Sequence, residues 1–493
     1  MRERHAWQTA MLAVSALLVA SCGSDGSSSA PSTTASVPST TRTATTTTAT
    51  TLPASSSTDA RRGPLVVDTD LASDDLIALT YLLSDPTVDL LAVTVSGTGE
   101  VTCPRGVEVA GGLLAKFGRP DVPVACGRST PLAGDRVFPQ EWRTGADAAY
   151  GLTLPSPGPS TGASDAVALL GSAVAKASEP VTLLALGPLT NVAMAFAAEP
   201  TLARDLAGIV IMGGAVDVPG NVQLDGASAP LAAEWNLYID PAATVAVVAS
   251  GAHVTLVGLD ATSAVPVTSE FVDRLSANDV DDATALVTEL LTARAPAYLW
   301  DPLAAIAAAH PSMVPTAERT ISVVTEGADS GRTIDRSDGA VVSVASPPDA
   351  AAVLDHLLRT LAGVAADTPL VTPTTVAPVG EATVSYDGTA CTYDGPTSVP
   401  VGTLQVTVEP GPVPYVAIVA HIAEGATIDE ALAWQAAHPG EQPPMVDVAT
   451  AIGEAGLPSP AHVELLAGQN GVVCGLEGGA VVPGAVVTAV AGS

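Results

Sequence analysis

From Leu65 onward the chain alternates short apolar runs with longer amphipathic stretches, the order in which a parallel sheet is built and covered by helices. Apolar runs at 65–68, 90–96, 122–126, 181–186, 208–212 and 254–259 predict strands. The stretches at 74–83, 105–117, 164–177, 191–198 and 241–249, with two more inside 269–297, predict helices. A last unit at 317–363 predicts two further strands and a closing helix. In open α/β sheets the binding crevice lies beyond the carboxyl ends of the strands. The segments "DTDLASDD", "GTGE", "GPLTN", "MGGAV" and "LDAT" follow such strands directly, so they are expected to meet there.

The pattern differs at both ends. An apolar run at 11–20 follows Arg2 and Arg4; it is too short to cross a bilayer and fits a secretory signal. It ends in "LVASCGS", which resembles a bacterial lipoprotein signal cleaved before Cys22, the residue that then carries the lipid. An ordinary signal peptide with a chance cysteine is the competing reading. The expected location is outside the cytoplasm, lipid-anchored on the outer face of the cell membrane. Residues 23–62 are almost wholly Ser, Thr, Ala and Pro, too polar to repay the entropy of ordering, and read as a disordered tether. The α/β region then occupies 63–365 and a linker 366–379. Beyond it, short β-rich runs between Gly and Pro turns predict a small β-sandwich over 380–493 with a helix near 428–437.

Charge and cysteine usage narrow the function. A formal net charge of −32 with only 19 Lys and Arg argues against a phosphate-backbone partner, so no nucleic acid is expected. Of five cysteines, setting Cys22 aside leaves Cys103, Cys126, Cys391 and Cys474, an even set in an exported chain. Two disulfides are expected, and of the three connectivities that sequence allows, Cys103 with Cys126 and Cys391 with Cys474 is favoured because it keeps each pair inside one proposed domain. The stretch "VSYDGTACTYDGP" loosely resembles cupredoxin-like modules. Neither Cys391 nor Cys474 is closely followed by the His and Met of a type 1 copper site, so copper is not expected.

The stretch "PLVVDTDLASDDLIAL" carries the chemistry: Asp68, Asp70, Asp74 and Asp75 fall within eight positions behind a strand. One or two of these acids suit a helix start. Four converging carboxylates call for a hard cation, and oxygen-only ligation favours Ca²⁺ or Mg²⁺ over Zn²⁺. Capping plus solvated acids is the alternative. Aspartyl phosphatases of the haloacid dehalogenase type also begin with a strand and Asp-x-Asp. Here Ala72 stands where they expect Thr or Val, and the only lysines, Lys116 and Lys176, lie inside predicted helices, so that chemistry is rejected.

"VVDTDLASDD" resembles the N-terminal motif of the inosine-uridine-preferring nucleoside hydrolase superfamily. The resemblance continues through "LLALGPLTNVAMA", "IVIMGGAV", "PGNV", "AEWNLYIDPAA", "LVGLDAT" and "WDPLAA", in order and at matching spacing across roughly 64–363. It implies an open, mostly parallel, Rossmann-like α/β sheet and Ca²⁺-dependent hydrolysis of the N-glycosidic bond of ribonucleosides, for salvage. The Ca²⁺ would be held by Asp70, Asp75, the backbone carbonyl of Thr190 and Asp301. The catalytic residues so implied are Asp70, as the base that takes a proton from water, and Asn236. Asp74 would bond a ribose hydroxyl, Asn221, Glu234 and Asn236 would grip the sugar, Met212 would lie beside the ring, and Asp68 would support the site from behind. Relatives are commonly dimers or tetramers, so a homodimer or homotetramer is implied as possible.

Two positions depart from that pattern. Trp300 stands where many members carry a His before the last metal-binding Asp, and it either stacks on a base or fills a wall. Glu100 replaces a common Asn, as a substrate or metal contact or as a plain loop residue. His253 and His310 read as structural. The stretch at 222–232 is a candidate lid and "FPQEWR" at 138–143 a candidate mouth loop, with Trp142 against a base; plain surface loops are the alternative for both. The competing function is a nucleoside- or ribose-binding lipoprotein without turnover, and a weaker one is an envelope adhesin.

Overall fold

The computed structural model describes residues 63–159, 161–224, 230–294, 296–372, 378–409, 411–412, 415–438, 443–454, 461–476 and 481–490. The signal segment with Cys22 and the tether lie outside the described residues, as do 225–229 of the candidate lid and 373–377 of the linker.

The first half of the α/β region runs β1 (Pro64–Thr69), α1 (Ser73–Ser84), β2 (Asp89–Val95), α2 (Arg105–Lys116), β3 (Val124–Cys126), α3 (Gln140–Asp147), β4 (Thr161–Asp165), α4 (Ala166–Lys176), β5 (Thr182–Ala185) and α5 (Thr190–Ala198). Next come α6 (Leu202–Asp205), β6 (Gly208–Met212), α7 (Trp235–Ile239), α8 (Pro241–Val248), β7 (Val254–Val257), α9 (Leu259–Thr262), α10 (Ser269–Ala277), α11 (Asp282–Arg294) and α12 (Trp300–Ala309). It closes with β8 (Thr316–Val323), β9 (Thr333–Asp335), β10 (Ala340–Ala345) and α13 (Ala350–Leu361).

One ten-stranded sheet results, in the order β4-β3-β2-β1-β5-β6-β7-β10-β8-β9. Pairings from β4 to β10 are parallel, whereas β8 runs antiparallel to β10 and to β9. The sheet is therefore mixed. No helix separates β8, β9 and β10, and short connections permit only antiparallel neighbours. Side chains alternate across the sheet: Leu65 and Val67 of β1 join one core with Leu76, Leu303 and Leu357, while Val66 joins a second with Leu170, Val192 and Val247. Helices thus cover both faces.

Three sequence expectations shift in detail. Thr161–Asp165 pairs with β3 as an edge strand where a helix was expected from Ser164. It has no apolar run to reveal it, and the helix starts only where the Asp165 side chain accepts the Ala168 N–H. The strand expected to reach Leu259 stops at Val257, because Gly258 caps α9. The closing unit holds three strands rather than two.

In the C-terminal region β11 (Gly380–Tyr386), β12 (Cys391–Asp394), β13 (Ser398–Pro400), β14 (Gly402–Val408), β15 (Val416–Ile422), α14 (Ile428–Ala437), β16 (Val446–Glu454), β17 (Ala461–Leu465), β18 (Gly468–Gly475) and β19 (Val481–Val490) form a four-stranded sheet, β12-β11-β14-β17, and a five-stranded sheet, β13-β19-β18-β15-β16. Val384, Leu404 and Val406 of one meet Ala417, Val472 and Val487 of the other in a shared core. The Cys391–Cys474 disulfide ties β12 to β18, and so one sheet to the other. Cys103 is paired with Cys126 at the end of β3, with Cα atoms 6.1 Å apart. No helix among the described residues is long and apolar enough to cross a membrane.

Candidate active site

Strand β1 sits between β2 and β5, where the chain stops adding strands on one side and starts on the other. Such a switch point leaves a crevice at the carboxyl ends of the strands. A cleft opens there. Asp70, Asp74, Asp75, Glu100 and Asp301 line it together with Met212, Asn221, Glu234, Asn236 and Trp300.

The loop after β1 is bent so that its acids converge. Leu71 has φ 59°, a left-handed conformation that costs a leucine energy and is held because its side chain is fully buried. The turn brings Asp75 back onto the chain that precedes it: its Oδ1 accepts the Asp70 N–H at 3.2 Å and the Thr69 hydroxyl, and its Oδ2 accepts the Ala72 N–H at 3.0 Å. Two glycines make room for Asp70. A Cβ on Gly187 would stand 2.8 Å from the Asp70 Cβ, and one on Gly99 would overlap it. The Glu100 N–H then donates to Asp70 Oδ2 at 3.3 Å.

Asp301, in the first turn of α12, completes the cluster: Asp74, Asp75 and Asp301 each offer a carboxylate oxygen within 4.8 Å of the others. Burial pushes all of them toward the neutral form. Asp74 is raised to about 8 by burial, then by repulsion from Asp75 and Glu100. Asp70 is pushed well above the usual carboxylate range by burial and by Asp75 and Glu100, and Asp301 by burial and by Asp74 and Asp75. Asp75 is also raised by burial, against the pull of its hydrogen bonds. Among the described residues no Lys, Arg or His lines the cleft. An oxygen-only set of buried, mutually repelling carboxylates fits a hard divalent cation, whose charge would restore the ionised forms.

The other expected residues take distinct places. Asp68 lies behind the cleft, its Oδ1 accepting the Thr94 hydroxyl at 2.6 Å and the Asn191 amide at 2.8 Å; burial raises it to about 7. Thr190 is not among the lining residues: its hydroxyl donates to Asp240 at 2.8 Å and lies 3.0 Å from the Thr98 hydroxyl. Leu186, at the end of β5, does line the cleft, and its carbonyl accepts the Asn236 amide at 2.8 Å. Glu234 caps α7, taking the N–H groups of Asn236, Leu237 and Gly214 at 2.9, 3.2 and 3.2 Å. Asn221 Oδ1 accepts the Trp235 N–H at 3.2 Å, and Glu100 accepts the Tyr150 hydroxyl at 3.0 Å. Trp300 faces the cleft, with its indole N–H buried and without a hydrogen-bond partner among the described residues.

Sequence reasoning passed over Leu186, Trp235 and the part Phe138 plays. Phe138 and Trp235 stack with ring centroids 5.5 Å apart, and Trp142 meets Trp235 edge-on at 5.2 Å, making an aromatic wall on the cleft. The signal was scarcity: the chain has five tryptophans, and Trp142, Trp235 and Trp300 all line this one cleft.

Comparison with known proteins agrees with this geometry. The family model described as inosine-uridine preferring nucleoside hydrolase matches residues 65–360. The pyrimidine-specific ribonucleoside hydrolase RihA of Klebsiella pneumoniae is 34% identical over 274 residues, 54% of this chain and 85% of that protein. The structure of an inosine-uridine preferring nucleoside hydrolase from Bacillus anthracis superposes with a TM-score of 0.56 at 25% identity, covering 62% of this chain and all, 100%, of that one. A purine-preferring ribonucleoside hydrolase from Gardnerella vaginalis gives 0.55 at 27%, covering 61% and 98%. A matched segment that takes in every element from β1 to α13, with the acidic cluster at the switch point, shows that the chain belongs to the inosine-uridine preferring nucleoside hydrolase family.

Proposed function

We propose that the protein hydrolyses the N-glycosidic bond of ribonucleosides to ribose and free base, with Ca²⁺ held by Asp75 and Asp301 together with Asp70. The observation that carries this reading is the convergence of Asp74, Asp75 and Asp301 within 4.8 Å in a cleft that no basic side chain lines among the described residues. When bound, Ca²⁺ would supply Lewis acidity that lowers the pKa of water and ligates the sugar hydroxyls. The residues of the chain do the rest. Asp70 accepts the water proton as the water oxygen bonds to C1′. The C1′–N bond breaks, and its electron pair leaves with the base, which takes up a proton. Asp74, Asn221 and Asn236 hold the sugar, so the attacking oxygen and C1′ stay within reach. The carboxylates stabilise positive charge developing on the sugar ring, and the aromatic wall with Trp300 receives the base.

The same proposal places the protein outside the cytoplasm, anchored through lipid on Cys22, with the hydrolase at 63–365 and a cupredoxin-like, copper-free domain at 380–493. The alternative, a ribose-binding lipoprotein without turnover, is favoured by one observation: Trp300 replaces the usual leaving-group His. Release of reducing sugar from a panel of purine and pyrimidine nucleosides decides between them, measured with chelator and after Ca²⁺ is restored. Calcium-dependent release is expected; ribose binding with no release from any nucleoside overturns the enzyme reading.

A further inference from the structure

Helices α1 and α12 pack against each other, and both start at the cleft. Asp74 and Asp75 occupy the first turn of α1, Asp301 that of α12. They also finish together. Asp85 caps the C-terminus of α1 and His310 that of α12, and His310 Nε2 lies 2.6 Å from Asp85 Oδ2 with both side chains largely buried. The other oxygen of Asp85 is taken by the N–H and hydroxyl of Thr87, both at 2.8 Å, so the carboxylate is directed at His310.

A second contact backs the first. His356 of α13 meets the His310 ring edge-on, centroids 4.5 Å apart, and its Nε2 lies 2.9 Å from the hydroxyl of Tyr81, a wholly buried residue of α1. Asp85, His310, His356 and Tyr81 therefore tie three helices together at the end away from the cleft. At 1.5 Å per residue the ten residues of α12 put that tie roughly 15 Å from Asp301.

The two ends differ. At the cleft, acids from both helices converge with no cationic side chain between them among the described residues. At the far end the Asp85–His310 and Tyr81–His356 contacts tie the same helices together. Helices are stiff, so the spacing of their starts is set by the contacts that remain attractive without the cation. We propose that Asp85 and His310, backed by His356 and Tyr81, are positioning residues that hold Asp75 and Asp301 at cation-binding separation and so raise the cleft's affinity for Ca²⁺. The inference rests on the reading of the cleft as a cation site.

Its test uses the full chain. Ca²⁺ binding is titrated calorimetrically for wild type, His310→Ala, His310→Gln and Asp85→Asn, and amide exchange of each is mapped in chelator. His310→Ala is expected to weaken Ca²⁺ binding about tenfold, within the range of ordinary coupling between sites. It should also speed exchange in the first turns of α1 and α12. His310→Gln keeps a donor for Asp85 and is expected to restore most of both; Asp85→Asn carries the test if the alanine variant does not fold. A purely structural tie would lower thermal stability while leaving Ca²⁺ affinity and first-turn exchange at wild-type values, and that result overturns the proposal. Wild type that takes up no Ca²⁺ removes the cation reading instead, and the exchange pattern in chelator then decides the tie by itself.

Discussion

The two ends of helix α1 carry buried aspartates in opposite states. At its start Asp74 is raised to about 8, and at its end Asp85 is held down to about 2. The helix dipole favours the reverse, since it stabilises anions at the N-terminus and opposes them at the C-terminus, by about 0.3–1 kcal/mol. Burial raises both groups, so burial alone does not separate them either. Partners decide. Asp85 receives the His310 ring and two bonds from Thr87, which outweigh its burial. Asp74 meets Asp75 and Glu100 instead. The start of the helix presents an acidic cluster that fits a divalent cation, and its end is complete as it stands.

The largest effect should come from the acid assigned to chemistry. Asp70→Ala is expected to cut kcat by about a thousandfold, the middle of the range for a lost general base, with the circular dichroism spectrum unchanged. Near-wild-type turnover would remove Asp70 from its role. Next is the cation itself. Ca²⁺ at a hundred times its Kd should stabilise the wild type by about 2.7 kcal/mol against urea. Asp301→Asn should lose that gain while costing little stability in chelator, because burial and its neighbours push Asp301 toward the neutral form that Asn imitates. A variant that still gains stability from Ca²⁺ would show that the cation does not bind between α1 and α12.

The far end should answer differently. Asp85→Asn is expected to cost about 1–2 kcal/mol in chelator, the size of a charged hydrogen bond lost in a buried setting, and about 1 kcal/mol more in Ca²⁺ if its affinity falls tenfold. Its pH signature has a definite sign. The folded value of about 2 lies below the ordinary 3.8, so this share of stability is present above about pH 4 and lost as pH falls toward 2. The Asn variant should flatten that acid limb.

The contrast between the two ends was only half legible in the sequence. Four acids behind an apolar run announced the cleft, and the period of the runs placed β1, β6, α1 and α14 to within a residue or two. Leu186 was missed because its contribution to the cleft is a position at the end of β5, which an apolar letter does not advertise. Thr190 was read, for its backbone carbonyl, by its place in "GPLTN"; it does not line the cleft, and its hydroxyl donates to Asp240. The Asp85–His310 pair spans 225 positions, and only the docking of α12 on α1 brings those residues together. Strand β4 was hidden for another reason: an edge strand needs backbone partners on one side and no apolar run.

The smallest expected effect tests whether burial by itself moves a group of this cleft. Glu234 faces no ion pair among the described residues; burial raises it to about 7 from 4.5, although three backbone N–H groups pull it down. The folded state then holds its proton more tightly than the unfolded chain does. That share of stability is present below about pH 4.5 and is lost as pH rises through 7, opposite in sign to Asp85. One such proton gives a slope of at most about 1.4 kcal/mol per pH unit. Glu234→Gln imitates the neutral acid, so in chelator its urea stability should fall less steeply than wild type between pH 5 and 7, as roughly set by the titration of one group. The absolute stability is a poorer readout, because one amide oxygen cannot serve all three N–H groups and an unmet one costs about 1–3 kcal/mol at every pH. An unchanged slope would mean that the capping bonds keep Glu234 ionised, and that the cleft's raised acids owe their state to one another rather than to burial.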